Sequence, residues 1–523
     1  MKNLALVINA QQAYVPSNEN DFSEGIADFF RAVSGTYLPL LNMFEALERD
    51  GISCKISMVF SPVVCTMLAD PVMQERYIEW LDRRITFGAA EVKRCAAQPE
   101  LLEAVRFFLE KARQDKADFT EKYEQNLLKY FEFYASKGYI ELLATTATSV
   151  FLPYFADLPE AVNAQVETGL YAHKHFFGQS ASGFWLPYLA YSKGLEKNLR
   201  SYGVHYTILD SQSLVFSETE PEKGIFAPAR FYNSLAIFAR DSENQIKGDD
   251  SFVHGKVYCN VHRDVGFELS QEDLSAFEEP GSPRQATGFY YWNNSEKSDN
   301  SAFYRPSEAA RQVLADAELF LNKKKARLDA AAQVITDCDV SLVCTYDSSD
   351  IGNRWFEGVM WLEAVIRKAP EMGINVAQLS DLLNVDYKLQ KVEPYPSAAF
   401  GDGYGENFLD NSNSWMIRYV RKASERMIDL AERFPDDTGL KARILNLGAR
   451  ELFLAQSAQW ADMIQSANDA EYAETFFKKC IIAFTMVFDS LGSNTVSTEW
   501  LTGLERNHSI FPWINYRIFS RKK

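Results

Sequence analysis

Gly183-Phe184-Trp185-Leu186-Pro187-Tyr188-Leu189-Ala190-Tyr191 is the stretch on which the fold turns. Its apolar start predicts the end of a buried strand. Pro187, which has no N–H to give to a ladder, predicts where that strand breaks into a loop. Six other apolar runs share this character: Leu4–Ile8, Cys54–Phe60, Tyr139–Ala144, His205–Leu209, Leu235–Ala239 and Ser341–Thr345. Continuous apolar strands among helical stretches mark a parallel sheet buried on both faces, closed as a barrel or open and doubly wound. In a barrel the carboxyl ends of the strands carry the chemistry, which puts Trp185 and Tyr188 at a candidate site.

The 523-residue chain is long enough for two or three compact units. Its net charge of −17 argues against nucleic acid or an anionic membrane as partner. The seven cysteines are scattered, odd in number and never in a C-x-x-C pair, as expected for reduced thiols of a cytoplasmic protein. The one close histidine pair, His173 and His175, faces two sides of a predicted helix, so no metal site and no cofactor are expected. No apolar run approaches 18 residues, and Leu4–Ile8 is too short for a signal peptide, so no membrane segment is expected.

Between the second and third strands, residues 70–134 carry apolar residues at helical spacing and predict a helical insertion. Residues 211–301 are irregular, with a Gly-Asp-Asp stretch at 248–250. Within them Gly288-Phe289-Tyr290-Tyr291-Trp292 is either a sugar-stacking platform or a half-buried edge strand. Beyond Tyr395 the pattern is helical, with three long helices expected over 412–433, 441–466 and 471–491. The expected division is a barrel over 1–69 and 135–394, an insertion over 70–134, and a helical C-terminal domain over 395–523.

Several motifs along the chain carry one resemblance. Asn9-Ala10-Gln11-Gln12-Ala13-Tyr14-Val15 follows the first strand. It is similar to the His-Ser-His-Leu-Pro-Tyr-Val motif of glycoside hydrolase family 57, whose members include α-glucan branching enzymes and amylases. Ala147-Thr148-Ser149-Val150-Phe151-Leu152-Pro153 resembles that family's Ala-Thr-His-Gly-Phe-Leu-Pro, and Trp185–Tyr191 resembles its nucleophile segment Trp-Leu-Pro-Glu-Cys-Ala-Tyr. Tyr346-Asp347 through Asn353-Arg354-Trp355-Phe356-Glu357-Gly358 resembles the acid/base motif, and Ser457-Ala458-Gln459-Trp460 a fifth one.

The resemblance implies an α/β fold: a (β/α)7 barrel with a helical insertion and a C-terminal helical domain. It implies an α-glucan or maltooligosaccharide as ligand, and a protein of glycogen metabolism as a further partner. It also places Asp347 as the acid/base and Tyr188 where the glutamate nucleophile belongs. Sugar contacts are implied for Asn9, Gln11, Ser149, Trp185, Asn353, Arg354, Trp355, Phe400, Gln459 and Trp460. Every motif histidine is replaced, while the aromatic, proline and glycine framework persists.

Retaining glycosidases need two carboxyl groups about 5–5.5 Å apart, and a phenol with a pKa near 10 is a poor substitute for one of them. Tyrosine chemistry would need a base, for which Glu141 is a candidate, and Asp350 or Glu357 are candidate replacement carboxylates. Arg354 is expected to pair with Asp347 and block glucan. Asp264 and Arg240-Asp241 are either structural ion pairs or sugar ligands. The expectation is a catalytically silent relative that binds glucan or regulates a partner. An active enzyme of altered chemistry and a non-carbohydrate interaction protein are the alternatives.

Overall fold

The computed structural model describes residues 1–521 apart from 20–23, 244–250, 279–280, 296–301, 385–386, 494 and 496. The Gly-Asp-Asp stretch lies outside the described residues.

All seven anticipated strands form: β1 (Lys2–Ala10), β2 (Ile56–Phe60), β3 (Ile140–Thr145), β4 (Gly183–Trp185), β5 (Tyr206–Leu209), β7 (Ala236–Ala239) and β8 (Val340–Asp347). They run parallel in the order β7-β5-β4-β3-β2-β1-β8. The sheet curls until its two edges meet, where Arg240 bridges Val343 and the Asp241 N–H donates to the Val343 carbonyl at 2.7 Å. Two short strands escaped the sequence reading. β6 (Ala229–Arg230) pairs antiparallel with β7, and β9 (Asn375–Val376) pairs with β1. At two residues each they carry no readable alternation.

Alternation along the strands sorts two cores. Ala5, Val7, Val59, Leu143, Trp185, Ile208, Phe238 and Val343 pack together inside the barrel. Leu4, Leu6, Ile8, Ile56, Met58, Leu142 and Leu342 face the surrounding helices. The inward series of β1 continues from Val7 to Asn9, and that of β8 from Val343 to Asp347. Asn9 and Asp347 are register partners, so the sheet itself delivers both to one mouth of the barrel. Gly183 opens its strand because the Tyr206 ring crosses there: a Cβ would lie 2.3 Å from that ring.

The insertion is helical, as expected, with helices Pro71–Arg94, Pro99–Ala117 and Leu127–Ser136. Asp70 caps the first of them through Val72 N–H and Met73 N–H, and Pro71 takes the N1 position that needs no donor. The aromatic run 288–292 seals this insertion to the barrel. Phe289 packs edge-on to Phe87, and Phe289, Tyr290 and Tyr291 are buried, while Trp292 stacks on Phe303. It is therefore an edge segment and not an open platform.

In the C-terminal region the expected helix 441–466 is broken. Helix Gly439–Gln456 ends where Ser457 turns extended, and Gln459–Gln465 begins afresh. The carbonyls released by the break are satisfied from outside: Thr148 Oγ1 donates to Phe453 O at 2.9 Å, and Trp460 Nε1 donates to Leu454 O at 2.7 Å. Among the described residues, no helix is long and apolar enough to cross a membrane.

Candidate active site

Tyr188 sits on a left-handed turn, with φ +59° at Tyr188 and +50° at Leu189. A β-carbon disfavours this region, so something must hold it. Two backbone bonds do: Ala399 N–H donates to Tyr188 O at 2.7 Å, and Tyr191 N–H donates to Ser397 O at 2.9 Å. The segment 397–399 thus clamps the loop, with Ala399 packed against the core inside the barrel, and Phe400 follows directly.

The Tyr188 ring is half-buried against Phe408 (centroids 4.9 Å), Phe400 (5.6 Å) and Phe151 (6.4 Å). Its hydroxyl oxygen is buried. Burial pushes the phenol well above its ordinary range; the Asp462 and Asp347 charges push the same way, and the nearby Gln11 side chain opposes them. Asn9 Nδ2 donates to Asp347 Oδ1 at 3.0 Å and approaches Gln11 Oε1 at 3.5 Å. Asn9, Gln11 and Asp347 therefore form one polar group, and the Tyr188 hydroxyl, packed under Phe400, stands near it with no hydrogen-bond partner among the described residues.

Ser149 and Gln459 lie at the joint between the loop after β3 and the helix break. The Ser149 carbonyl accepts from Ala458 N–H at 2.9 Å, which ties the loop that bears the second motif to the helix break, and Ser457 Oγ donates to Gln459 Oε1 at 3.4 Å. Below them a buried amide chain secures the same joint. Gln165 Nε2 donates to Gln456 Oε1 at 2.7 Å, and Gln456 Nε2 donates to Ser424 Oγ at 3.0 Å. Trp185 is buried inside the barrel.

Four expectations are corrected. Arg354 does not reach Asp347: it pairs with Asp350 at 3.2 Å and its side chain is 64% exposed. Trp355, 1% exposed, packs against Trp361 and Tyr258, and Trp460, 0% exposed, caps the broken helix, so neither offers a face to a sugar. Asn353 turns away, donating to Asp28 O at 3.3 Å.

The candidate replacement bases are also committed elsewhere. Glu141 takes hydrogen bonds from Tyr206, from Ser57 Oγ and from the Ser380 N–H. Glu357 is fully buried, accepts from Cys259 N–H at 3.1 Å, and is raised by burial to about 7. Asp350 carries the Arg354 pair. Asp264 accepts from Gly266, Thr287 and Gly288, while Asp241 is buried against Lys324 and Arg327; both are structural.

Sequence reasoning passed over Asp462, Phe151 and Phe408. Asp462 follows Gln459 by three residues on one helix, hence on the same face, and that spacing was the available signal. A separate cluster lies in the C-terminal region, where His508 Nδ1 is 2.7 Å from Glu451 Oε1 beside Cys480.

Residues 5–275 match the model of glycosyl hydrolase family 57. The chain belongs to glycosyl hydrolase family 57. Residues 419–519 match the C-terminal region of 1,4-alpha-glucan branching enzymes. A family 57 relative, a 1,4-alpha-glucan branching enzyme of Thermococcus kodakarensis, is 25% identical over 476 residues, spanning 85% of this chain and 67% of that protein. A probable branching enzyme of Mycobacterium tuberculosis is 24% identical over 468 residues, 85% and 84% of the two chains. Among solved structures, the α-amylase AmyC of Thermotoga maritima superposes with a TM-score of 0.92 at 28% identity, covering 100% of this chain and 99% of that one. The Thermococcus branching enzyme, solved with glucose, superposes at 0.88 with 21% identity, covering 100% and 97%, and supports the fold alone.

Proposed function

We propose that this chain is a catalytically silent member of family 57 that binds an α-glucan or regulates a partner in glucan metabolism. The observation that carries the reading is the protonated, packed phenol of Tyr188 at the position where the resemblance calls for a carboxylate nucleophile. A retaining mechanism needs that group ionised and facing the anomeric carbon, with a second carboxyl group opposite. Asp347 remains as the acid, but its partner is a ring wedged between Phe400 and Phe408. An ordinary carboxylate accepting the phenol's proton would meet a pKa gap of at least ~6 units, about 8 kcal/mol before any bond to sugar forms. The amides Asn9 and Gln11 can still hydrogen-bond sugar hydroxyls as donor and acceptor, although they carry no proton at neutral pH.

The runner-up is an active branching or amylase-type enzyme, favoured by the retained Asp347 and by the named activities of the similar proteins. Incubation with amylose, read by iodine staining and by reducing-end release, separates the two. The expected result is no turnover by the wild type. Turnover that disappears in both Asp347→Asn and Tyr188→Phe would overturn the silent reading. Affinity electrophoresis in glycogen tests the binding half, where unretarded migration leaves no glucan role.

A further inference from the structure

Beside the barrel mouth, between the insertion helices and the loop after β8, lies a small cavity of about 30 Å³, room for roughly two waters or one small ion. Three cations line it: Arg31, Arg84 and Lys111. The carboxylates that partner them stand outside its wall. Glu24 and Asp28 hold Arg31 from the outer side, and Asp115 accepts from Lys111 at 2.9 Å. No carboxylate lines the cavity.

Arg84 is the unusual member. It is 3% exposed, and its guanidinium lies over the Trp80 ring at 4.5 Å. Nη2 donates to Gly288 O at 3.0 Å, yet Nε and Nη1 have no hydrogen-bond partner, Asp115 being 3.9 Å away from Nη1. A buried guanidinium with two idle donors is expensive unless something accepts from them. Across the cavity the Asn353 amide presents the opposite need: Nδ2 is used on Asp28 O, while Oδ1 is buried without a donor.

We propose that this cavity is an anion site for a phosphoryl-type oxyanion carrying at least one hydroxyl. Two oxygens of such a group accept from the Arg84 fork, with Arg31 and Lys111 supplying charge at the mouth, and its P–OH donates to Asn353 Oδ1. A halide satisfies the arginine and leaves the asparagine orphaned. Water also satisfies the hydrogen bonds, but it brings no charge to Arg84, whose paired Asp115 oxygen stands 3.9 Å from Nη1. Asn353 thereby acquires a role apart from the Tyr188 site, one that holds whether or not the enzyme is silent. The same phosphoryl chemistry is carried by free phosphate and by a sugar phosphate.

Isothermal titration of the full chain in chloride-free HEPES, with sodium phosphate, glucose 6-phosphate and sodium chloride as separate titrants, tests this. One saturable phosphate site is expected, weakened about tenfold or more in Arg84→Lys and in Asn353→Leu. Binding of glucose 6-phosphate at least as tight as phosphate supports the site with a sugar phosphate as its source. Binding of free phosphate alone supports it with an inorganic one. The proposal is overturned by absent saturation in the wild type, by unchanged affinity in the folded variants, or by chloride binding as tightly as phosphate. Should Arg84→Lys fail to fold, Asn353→Leu and Lys111→Met carry the test, since both side chains sit at the cavity edge.

Discussion

If Tyr188 occupies space that a sugar ring would otherwise fill, cutting it back should cost stability and gain affinity together. The perturbation is Tyr188→Ala, with Tyr188→Gly as its companion. Truncating a fully buried aromatic residue to alanine costs about 3–5 kcal/mol. The Tyr188 ring is half-buried, but it meets Phe408, Phe400 and Phe151 at 4.9, 5.6 and 6.4 Å. Such pairs contribute roughly 0.5–1.5 kcal/mol each at best geometry, so a loss of about 2–3 kcal/mol is expected for Ala. The backbone at φ +59° is indifferent to the side chain lost, because Ala399 and Tyr191 clamp it through main-chain bonds. Glycine should therefore recover about 1 kcal/mol relative to alanine by relieving the left-handed strain. Urea denaturation gives the stability differences, and titration with maltoheptaose gives the affinity. An affinity rise of about tenfold is expected in both variants, equivalent to ~1.4 kcal/mol of recovered contact. Two folded variants that bind no better than the wild type would show that the ring was never in the sugar's place. A glycine variant less stable than the alanine one would remove the strain argument.

Three further outcomes are expected. Gly169→Ala should destabilise by about 3 kcal/mol or more in thermal or urea melts, because the new methyl would lie 1.8 Å from Thr145 O, a backbone atom that cannot step aside. Gln165→Leu should cost about 2–4 kcal/mol by stranding Thr148 N–H and the Gln456 amide, and limited proteolysis should then release the C-terminal helices earlier. For Glu357, burial lifts the carboxyl to about 7 from the 4.5 of an exposed one, so the folded chain binds a proton that the unfolded chain gives up between those values. Wild-type stability should accordingly fall, relative to Glu357→Gln, as pH rises from about 4.5 to 7, by an amount on the order of 3 kcal/mol, and level off above. The difference curve is the measurement to make, since buried His173, lowered to about 4, contributes an opposite slope over much of the same range.

How far the sequence could be read depended on where the determining contacts lie. The seven parallel strands were legible because burial on both faces makes each a continuous apolar run, and the loop at Pro187 was legible because proline ends a ladder by itself. The break at Ser457 was not. An amphipathic pattern passes through it without interruption, and the bonds that make the break tolerable come from Thr148, in a loop some three hundred residues earlier, and from Trp460. Arg354 was misplaced for a related reason. The motif's acid/base position is Asp347, but the turn after β8 carries Arg354 outward, where it pairs with Asp350, four residues before it in sequence. Of the site, Asn9 and Asp347 could be paired from strand alternation, whereas Asp462 enters from a helix whose placement only the tertiary fold decides.

The same geometry bears on whether the proposed loss of chemistry at residue 188 is compatible with an intact site. The sheet positions Asn9 and Asp347 by register, and the 397–399 segment positions residue 188 by main-chain bonds, so neither depends on which side chain stands at 188. A carboxylate there would face Asp347 and Asp462 at close range, and three acids at one mouth raise one another's pKa values. A phenol removes a charge from that mouth and fills the volume with contacts to Phe400 and Phe408. Exchange at 188 therefore relieves electrostatic cost, adds packing and leaves the backbone untouched, while the reverse change, Tyr188→Glu, must reintroduce the charge without the histidines that the resemblance places at Asn9, Gln11 and Ser149. On this reasoning Tyr188→Glu alone should fold, lose about 2 kcal/mol relative to the wild type through the forfeited ring contacts, and remain inactive on amylose. Activity gained by that single change would mean that the amides at 9 and 11 do the work assigned to histidines, and that the proposed silence rests on Tyr188 by itself.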